Sequence, residues 1–244
     1  MSASDAAQNA AKKFDPSRAA EYDQQSRIAL AGYDACHELA AGMLIATLGE
    51  NKPANVLIVG AGTGQEMLIM GKVEKQWRFT AVDPSPPMVE LGQDRVAAAG
   101  LSARTEFVLG TVEDLPRDAH FDAATLIGVL HHLPGEVAKH EILNSIAARL
   151  KPGAPLILAG NRTRYAEHPL LLTAWRQRWR INGASTEEID AKIGKILQGA
   201  DPPASDQAIA DYLAQAGFNA PTLFFSSLFW GAWIALRQGA PVSG

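Results

Sequence analysis

Short apolar runs alternate along this chain with stretches of helical spacing, and small or polar residues separate the two. Val56-Leu57-Ile58-Val59, Phe79 to Val82, Glu106 to Leu109, Phe121 to Ile127 and Pro155 to Ala159 each read as a strand. Between them Gln65 to Glu74, Ser85 to Ala99 and Glu136 to Leu150 read as helices. Pro86 and Pro87 stand in the first turn of the second, where a missing N–H costs least, and Gly100 and Lys151-Pro152-Gly153 act as stops. Upstream, Ser17 to Leu48 carries Ile28, Leu30, Tyr33, Leu39, Met43 and Leu44 at three- and four-residue spacings, which predicts a helix ended by Lys52-Pro53. Beyond Gly160 the alternation stops. Asn161 to Ser205 reads as a mostly helical excursion and Asp206 to Ala216 as a helix, and Thr222 to Ser226 and Trp230 to Leu236 as two strands joined by a short turn. The pattern predicts an α/β fold, a Rossmann-like doubly wound sheet of seven strands with an antiparallel ending. One domain over residues 1–244 is expected, with an N-terminal helical cap at 14–50 and a helical insertion at 161–205.

Composition narrows the class. Hydrophobic residues make up 47% and charged residues 20% of the 244 positions, as in an ordinary globular protein. Lys plus Arg number 22 against 26 Asp plus Glu, a net charge of −4, so a coat for nucleic acid, which needs a basic excess, is not expected. Cys36 is the single cysteine, which rules out an internal disulfide. Met1 to Lys13 has no apolar core of a secretory signal, and Leu223 to Leu236 falls short of the ~20 residues that span a bilayer. A cytoplasmic, soluble protein without a membrane segment is expected. Cys36 and His37 lack partners in the sequence for a metal site, and none is expected elsewhere.

The first strand runs into Gly60-Ala61-Gly62-Thr63-Gly64, and a helix follows. Glycines let the backbone approach a ligand, and the helix start offers free N–H groups. The spacing is G-x-G-x-G, whereas a dinucleotide fingerprint wants G-x-G-x-x-G. Asp83 follows the second strand, 19 residues beyond Gly64, where a carboxylate can accept both ribose hydroxyls. Gly110-Thr111-Val112 follows the third strand and Ile127-Gly128-Val129-Leu130-His131-His132-Leu133 the fourth.

These four loops, together with Leu150-Lys151-Pro152-Gly153-Ala154, resemble the class I S-adenosylmethionine-dependent methyltransferases over about Val56 to Leu236. The resemblance implies S-adenosylmethionine as cofactor and S-adenosylhomocysteine as product. It assigns Gly60, Ala61 and Gly62 to the methionyl and ribose portion, Asp83 to the ribose hydroxyls, and Pro84 and Met88 to the flanks of the adenine. Thr111 and Val112 fall at the adenine edge, and Ile127 beside the cofactor. Ile58 stands where the family usually has an acid, and Thr111 where it often has Asp.

The flanks, Phe14-Asp15, Tyr22-Asp23, Ser26-Arg27, Gly32-Tyr33 and Arg180-Ile181-Asn182-Gly183-Ala184-Ser185, are similar to the carboxy-S-adenosylmethionine synthases of tRNA wobble-uridine modification. That resemblance implies Tyr33 as a cofactor contact and a homodimer. A cation is required for the added carboxylate, and the aligned position holds Ile193, with Lys192 and Lys195 beside it. The chain therefore reads as a methyltransferase that uses ordinary S-adenosylmethionine on a small-molecule acceptor. A synthase-like enzyme and a non-catalytic binding protein are the alternatives.

Methyl transfer from a sulfonium needs chiefly near-attack geometry and exclusion of water, with a base only where the acceptor must lose a proton. His131 and His132 are the candidate bases. The competing reading makes them a structural turn with His132 packed beneath the loop. Tyr165 and Arg180 are candidate acceptor contacts, and Glu167 and His168 lie nearby. Arg162, Arg164, Arg176, Arg178 and Arg180 flank Trp175 and Trp179. The tryptophans, four apart, are expected to share a buried face, on this chain or a second subunit, with the arginines solvated or paired with acids. The cap and the insertion are expected to close over the cofactor and select the acceptor.

Overall fold

Val56, Leu57, Ile58 and Val59 are all buried, which only a strand covered on both faces can achieve. In the structure, a computed structural model that describes residues 24–239, this run belongs to β1 (Ala54–Val59), an interior strand of a seven-stranded sheet. Its partners are β2 (Trp77–Asp83), β3 (Thr105–Leu109), β4 (Ala123–Ile127), β5 (Pro155–Asn161), β6 (Thr222–Ser227) and β7 (Trp230–Leu236), in the order β3-β2-β1-β4-β5-β7-β6. The first five strands are parallel, and β7 runs antiparallel to both β5 and β6.

Side chains alternate across a strand, so β1 feeds two cores. Leu57 and Val59 join Leu126, Leu143, Leu156 and Leu213 on one face. Val56 and Ile58 join Leu44, Met67, Trp77 and Phe79 on the other. Helices α4 (Gly135–Arg149) and α7 (Asp206–Gln215) cover the first face, and α1 (Tyr33–Leu48), α2 (Gln65–Val73) and α3 (Pro86–Ala98) the second. Each fully buried aliphatic side chain contributes roughly 1.5–3 kcal/mol. The strand order reverses between β1 and β4, which opens a crevice at the strands' carboxyl ends.

The helix expected over Ser17 to Leu48 is broken. Residues 24–29 are helical, and Gly32 at φ +85° turns the chain into α1, with its Cα facing the Phe225 ring where a Cβ would come within 3.3 Å. The expectations for Phe14-Asp15 and Tyr22-Asp23 lie outside the described residues. Phe121 is not part of β4 but makes a lone bridge to Leu150, while β5 extends to Asn161 because β7 pairs with it as far as Trp230.

The insertion supplies α5 (Pro169–Ile181) and α6 (Thr186–Gly199). A capping box starts α6: the Ser185 hydroxyl accepts the Glu188 N–H and the Glu188 carboxylate accepts the Ser185 N–H. Trp175 and Trp179 share a face, which Tyr165, Ile189, Ile193 and Phe229 cover within the chain, so no second subunit is needed to bury it. Arg176 pairs with Asp190, Arg162 with Asp206 and Arg164 with Glu167. Arg178 departs from the expected pattern, since its guanidinium donates to the carbonyls of Arg27 and Ile28 at 2.7 Å each, and Trp175 Nε1 donates to Ala29 at 2.7 Å. These are the carbonyls a helix leaves unpaired at its carboxyl end, so α5 caps the 24–29 segment.

Candidate functional site

The turn after β1 requires left-handed backbone at Gly60, Gly62 and Gly64, with φ +71°, +50° and +82°. A Cβ on Gly60 would overlap Val129 Cγ2, so the loop after β4 can approach only a glycine here. The N–H groups of Gly60 and Ala61 both donate to the Val82 carbonyl, at 2.9 and 3.1 Å. At the end of β2, Asp83 completes the cradle. One carboxylate oxygen accepts the Gly62 N–H at 2.8 Å and the other the Ser85 N–H at 2.9 Å. Burial pushes the Asp83 carboxyl above its ordinary range, while the Ser85 and Gly62 donors pull it back. Each oxygen keeps a lone pair for a hydroxyl. The Asp83 carbonyl accepts the Gly110 N–H at 3.0 Å, which ties the third loop to the second. There Thr111 donates its N–H and hydroxyl to Asp114, closing a capping box.

Beside this cradle lies a cavity of ≈ 590 Å³, within the size range of ligand sites. Of the residues singled out in the sequence, Tyr33, Gly60, Ala61, Gly62, Ile127, His131, His132 and Tyr165 line it. Asp83, Pro84, Met88, Thr111 and Val112 do not, but gather at the adjoining ends of β2 and β3, with Met88 and Val112 buried. Arg180 is brought to neither place. One residue past Trp179 the helix has turned by about 100°, so Arg180 is exposed on α5, where its guanidinium donates to Gln177 at 3.4 Å.

The histidine pair is the reverse of the packed-turn expectation. His131 is buried and His132 exposed, with ring centroids 4.2 Å apart. His131 sets its ring edge-on to Trp230 at 5.3 Å, and its Nδ1 accepts the Asn161 N–H at 3.4 Å. That bond assigns the neutral ring's proton to Nε2. Tyr165, whose hydroxyl burial keeps protonated, accepts from Asn161 Nδ2 at 2.6 Å. Asn161 Oδ1 and Trp179 Nε1 are buried with no hydrogen-bond partner among the described residues, and both residues line the cavity. Buried polar atoms are rarely left so, and a ligand's polar groups are the natural complement.

Several lining residues escaped the sequence reading, among them Glu66, His37, Asn161 and Trp230. Glu66 stood in plain sight as an acid in the first turn of α2, next to the glycine loop. Of the two lysines beside Ile193, Lys195 lines the cavity, while Lys192 donates to Gln25 at 2.6 Å with its ammonium 4.9 Å above the Trp179 ring. Ile193 itself is core. Lys139, almost wholly buried, donates to the carbonyls of Leu133 and Gly135 and pairs with Asp201 at 2.9 Å. Asp201 in turn accepts the Gly135 N–H, and its own N–H donates to the His131 carbonyl at 2.8 Å. Among the described residues no cluster of His, Cys, Asp and Glu could hold a metal ion, and no helix is long and apolar enough to cross a membrane.

Residues 56–153 match a family model described as a methyltransferase domain. The ubiquinone/menaquinone biosynthesis C-methyltransferase UbiE of Azotobacter vinelandii is 29% identical over 142 residues, 57% of this chain and 54% of that protein. The protein of the same name from Pseudomonas syringae pv. tomato is 30% identical over 57% of this chain and 53% of its own length. The chain thus spans about half the length of these relatives. Among solved structures, human N-acetylserotonin methyltransferase in complex with S-adenosylmethionine superposes with a TM-score of 0.63 at 14% identity, covering 92% of this chain and 57% of that one. The mitomycin 7-O-methyltransferase MmcR gives 0.60 at 19% identity, covering 84% and 55%. At such identities the likeness is one of fold.

Proposed function

We propose that this class I S-adenosylmethionine-dependent methyltransferase moves a methyl group to a small-molecule acceptor held in the cavity between the glycine loop and the insertion. The observation that carries the reading is the Asp83 carboxylate, oriented by the Gly62 and Ser85 N–H groups beside three left-handed glycines. A carboxylate so placed fits the two ribose hydroxyls, and the glycine backbone leaves room for the methionyl chain. Pro84, Met88, Thr111 and Val112 would flank the adenine at the neighbouring strand ends, and Tyr33 and Ile127 would border the methionyl side. When bound, the cofactor supplies the electrophilic methyl group.

The protein's part is to position and to dry the site. Tyr165, Trp175, Trp179 and Trp230 wall the cavity and exclude water around the acceptor. Exposed in the wall, His132 is the better placed of the two histidines to take a proton from an acceptor hydroxyl or amine. His131, buried and with Nδ1 engaged by the Asn161 N–H, fits an orienting role. Direct binding of nucleic acid is not part of this reading. A homodimer is supported by Leu170 and Ile181, 79% and 83% exposed on α5. A cytoplasmic setting is supported by the lone, buried Cys36. The cap and the 161–205 insertion form one domain with the sheet in this proposal.

A second reading, a carboxylated cofactor as in the synthases of tRNA wobble-uridine modification, is favoured by one observation, the cation Lys195 in the cavity wall. Mass spectrometry of the small molecules released from purified, denatured protein decides between them. Release of S-adenosylmethionine or S-adenosylhomocysteine supports the methyltransferase. Release of the carboxylated form supports the second reading. A protein that carries neither, and that binds neither when they are added in calorimetry, refutes both.

A further inference from the structure

We propose that Glu66 is the counter-charge for the ammonium group of the cofactor's methionyl end, a role that rests on the S-adenosylmethionine reading above. The methionyl portion ends in an amino acid whose ammonium is cationic at neutral pH, and such a group needs an anionic or strongly accepting partner when it leaves water. Ile58, two positions before the first glycine, is fully buried in the core between β1 and its helices. It supplies no charge. Asp83 is committed to the other end of the cradle, where it binds Gly62 and Ser85 and lies outside the cavity wall.

Among the described residues that line the cavity, Glu66 is the one carboxylate. It is 7% exposed, in the first turn of α2, and follows Gly62, Thr63 and Gln65, which also line the cavity. The turn that brings backbone close to the methionyl chain therefore delivers the acid two residues later. Tyr33 and His37 of α1 line the same cavity, and His37 Nδ1 bonds the Tyr33 carbonyl at 2.9 Å. Glu66 is buried beside Met67 and Met70 on the same helix, so its carboxylate is held in place at the cavity wall rather than spread into solvent. The negative charge is felt locally, since burial first and Glu66 second push the Cys36 thiol up to about 12. The glycine loop thus carries its acid after the last glycine, on the helix, rather than before the first, on the strand.

Calorimetry with two ligands and two proteins tests this. S-adenosylhomocysteine and its deaminated analogue, with hydrogen in place of the amino group, are titrated into the wild-type chain and into Glu66→Gln. The wild type is expected to bind S-adenosylhomocysteine roughly 10–100-fold more tightly than the analogue, the range of a charge-assisted hydrogen bond. In Glu66→Gln that preference should collapse to within about 3-fold, with the analogue's affinity unchanged. Glu66→Asp should restore part of the preference, and the wild-type comparison needs no variant to fold. The proposal is overturned if Glu66→Gln weakens both ligands equally, which would make Glu66 a prop for the loop, or if the wild type does not discriminate between them. A wild type that binds neither ligand would overturn the cofactor reading as well, and so is told apart from failure at Glu66 alone.

Discussion

At the scale of single residues, the candidate site is legible where chemistry is local and hidden where it depends on burial. Gly60, Gly62 and Asp83 announce themselves because a glycine turn and a strand-end carboxylate can each be read from a few neighbouring residues. Which histidine is buried was not readable, since His131 and His132 are identical letters and only the packing of Trp230 and Asn161 separates them. Asp83 also carries a pH signature. Its carboxyl is raised in the folded protein, so the fold holds that proton more tightly than the unfolded chain does. That contribution is full below the ordinary Asp range and vanishes as pH rises through the raised value. Asp83→Asn removes the titration but leaves one of the Gly62 and Ser85 donors without an acceptor, a cost of about 1–3 kcal/mol. Urea unfolding should therefore show the wild type gaining on Asp83→Asn as pH falls from neutral toward the ordinary Asp pKa. S-adenosylhomocysteine affinity in the variant should fall about 10–100-fold at neutral pH, as hydroxyl acceptors are lost. An unchanged affinity would remove Asp83 from the site.

Between elements, the decisive contacts join residues far apart in sequence, which no periodicity reveals. Trp175 and Ala29 are 146 positions apart, and Lys139 and Asp201 are 62. The second pair fastens the end of α6 to the start of α4 and to the loop that bears His131. Removing Lys139 strips a donor from the Leu133 and Gly135 carbonyls, whereas removing the Asp201 charge leaves Lys139 those two acceptors. Asp201 is 57% exposed and stays hydrated on its own. Lys139→Met is accordingly expected to lose about 2–3 kcal/mol and Asp201→Asn under about 1 kcal/mol in chemical denaturation. Burial works against ionisation of Asp201, but the Lys139 and Gly135 hydrogen bonds outweigh it and hold its pKa below the ordinary range. This contribution is present above the ordinary Asp pKa and is lost as pH falls through the lowered one, a loss that Asp201→Asn should abolish. Hydrogen exchange should quicken over residues 128–135 in both variants while β1 is unaffected. Equal quickening across the sheet would mean the pair serves global stability alone.

For the whole molecule, the α/β class and the antiparallel ending followed from the alternation of strands and helices, but the seat of the insertion did not. An amphipathic helix declares a buried face without declaring what buries it. Here Phe229, in the turn between β6 and β7, supplies the cover for Trp175, so the insertion's cluster is nailed to the sheet's last hairpin. Arg178 and Trp175 bind the same helix to the 24–29 segment. An insertion held from two sides has little freedom to unfold by itself, and the chain is expected to melt as one unit. Tryptophan emission reports the insertion through Trp175 and Trp179 and the sheet through Trp77 and Trp233, while far-ultraviolet circular dichroism reports the backbone as a whole. The two transitions should coincide, and a ligand bound between these parts should move them together. At 100 times its dissociation constant S-adenosylhomocysteine adds about 2.7 kcal/mol, which for a chain of this size raises Tm by roughly 5–11 °C. Fluorescence that changes before the dichroism would show the insertion to be a separate cooperative unit. In that case the ligand should close the gap between the two curves, because the folded insertion forms one wall of the cavity proposed to receive it.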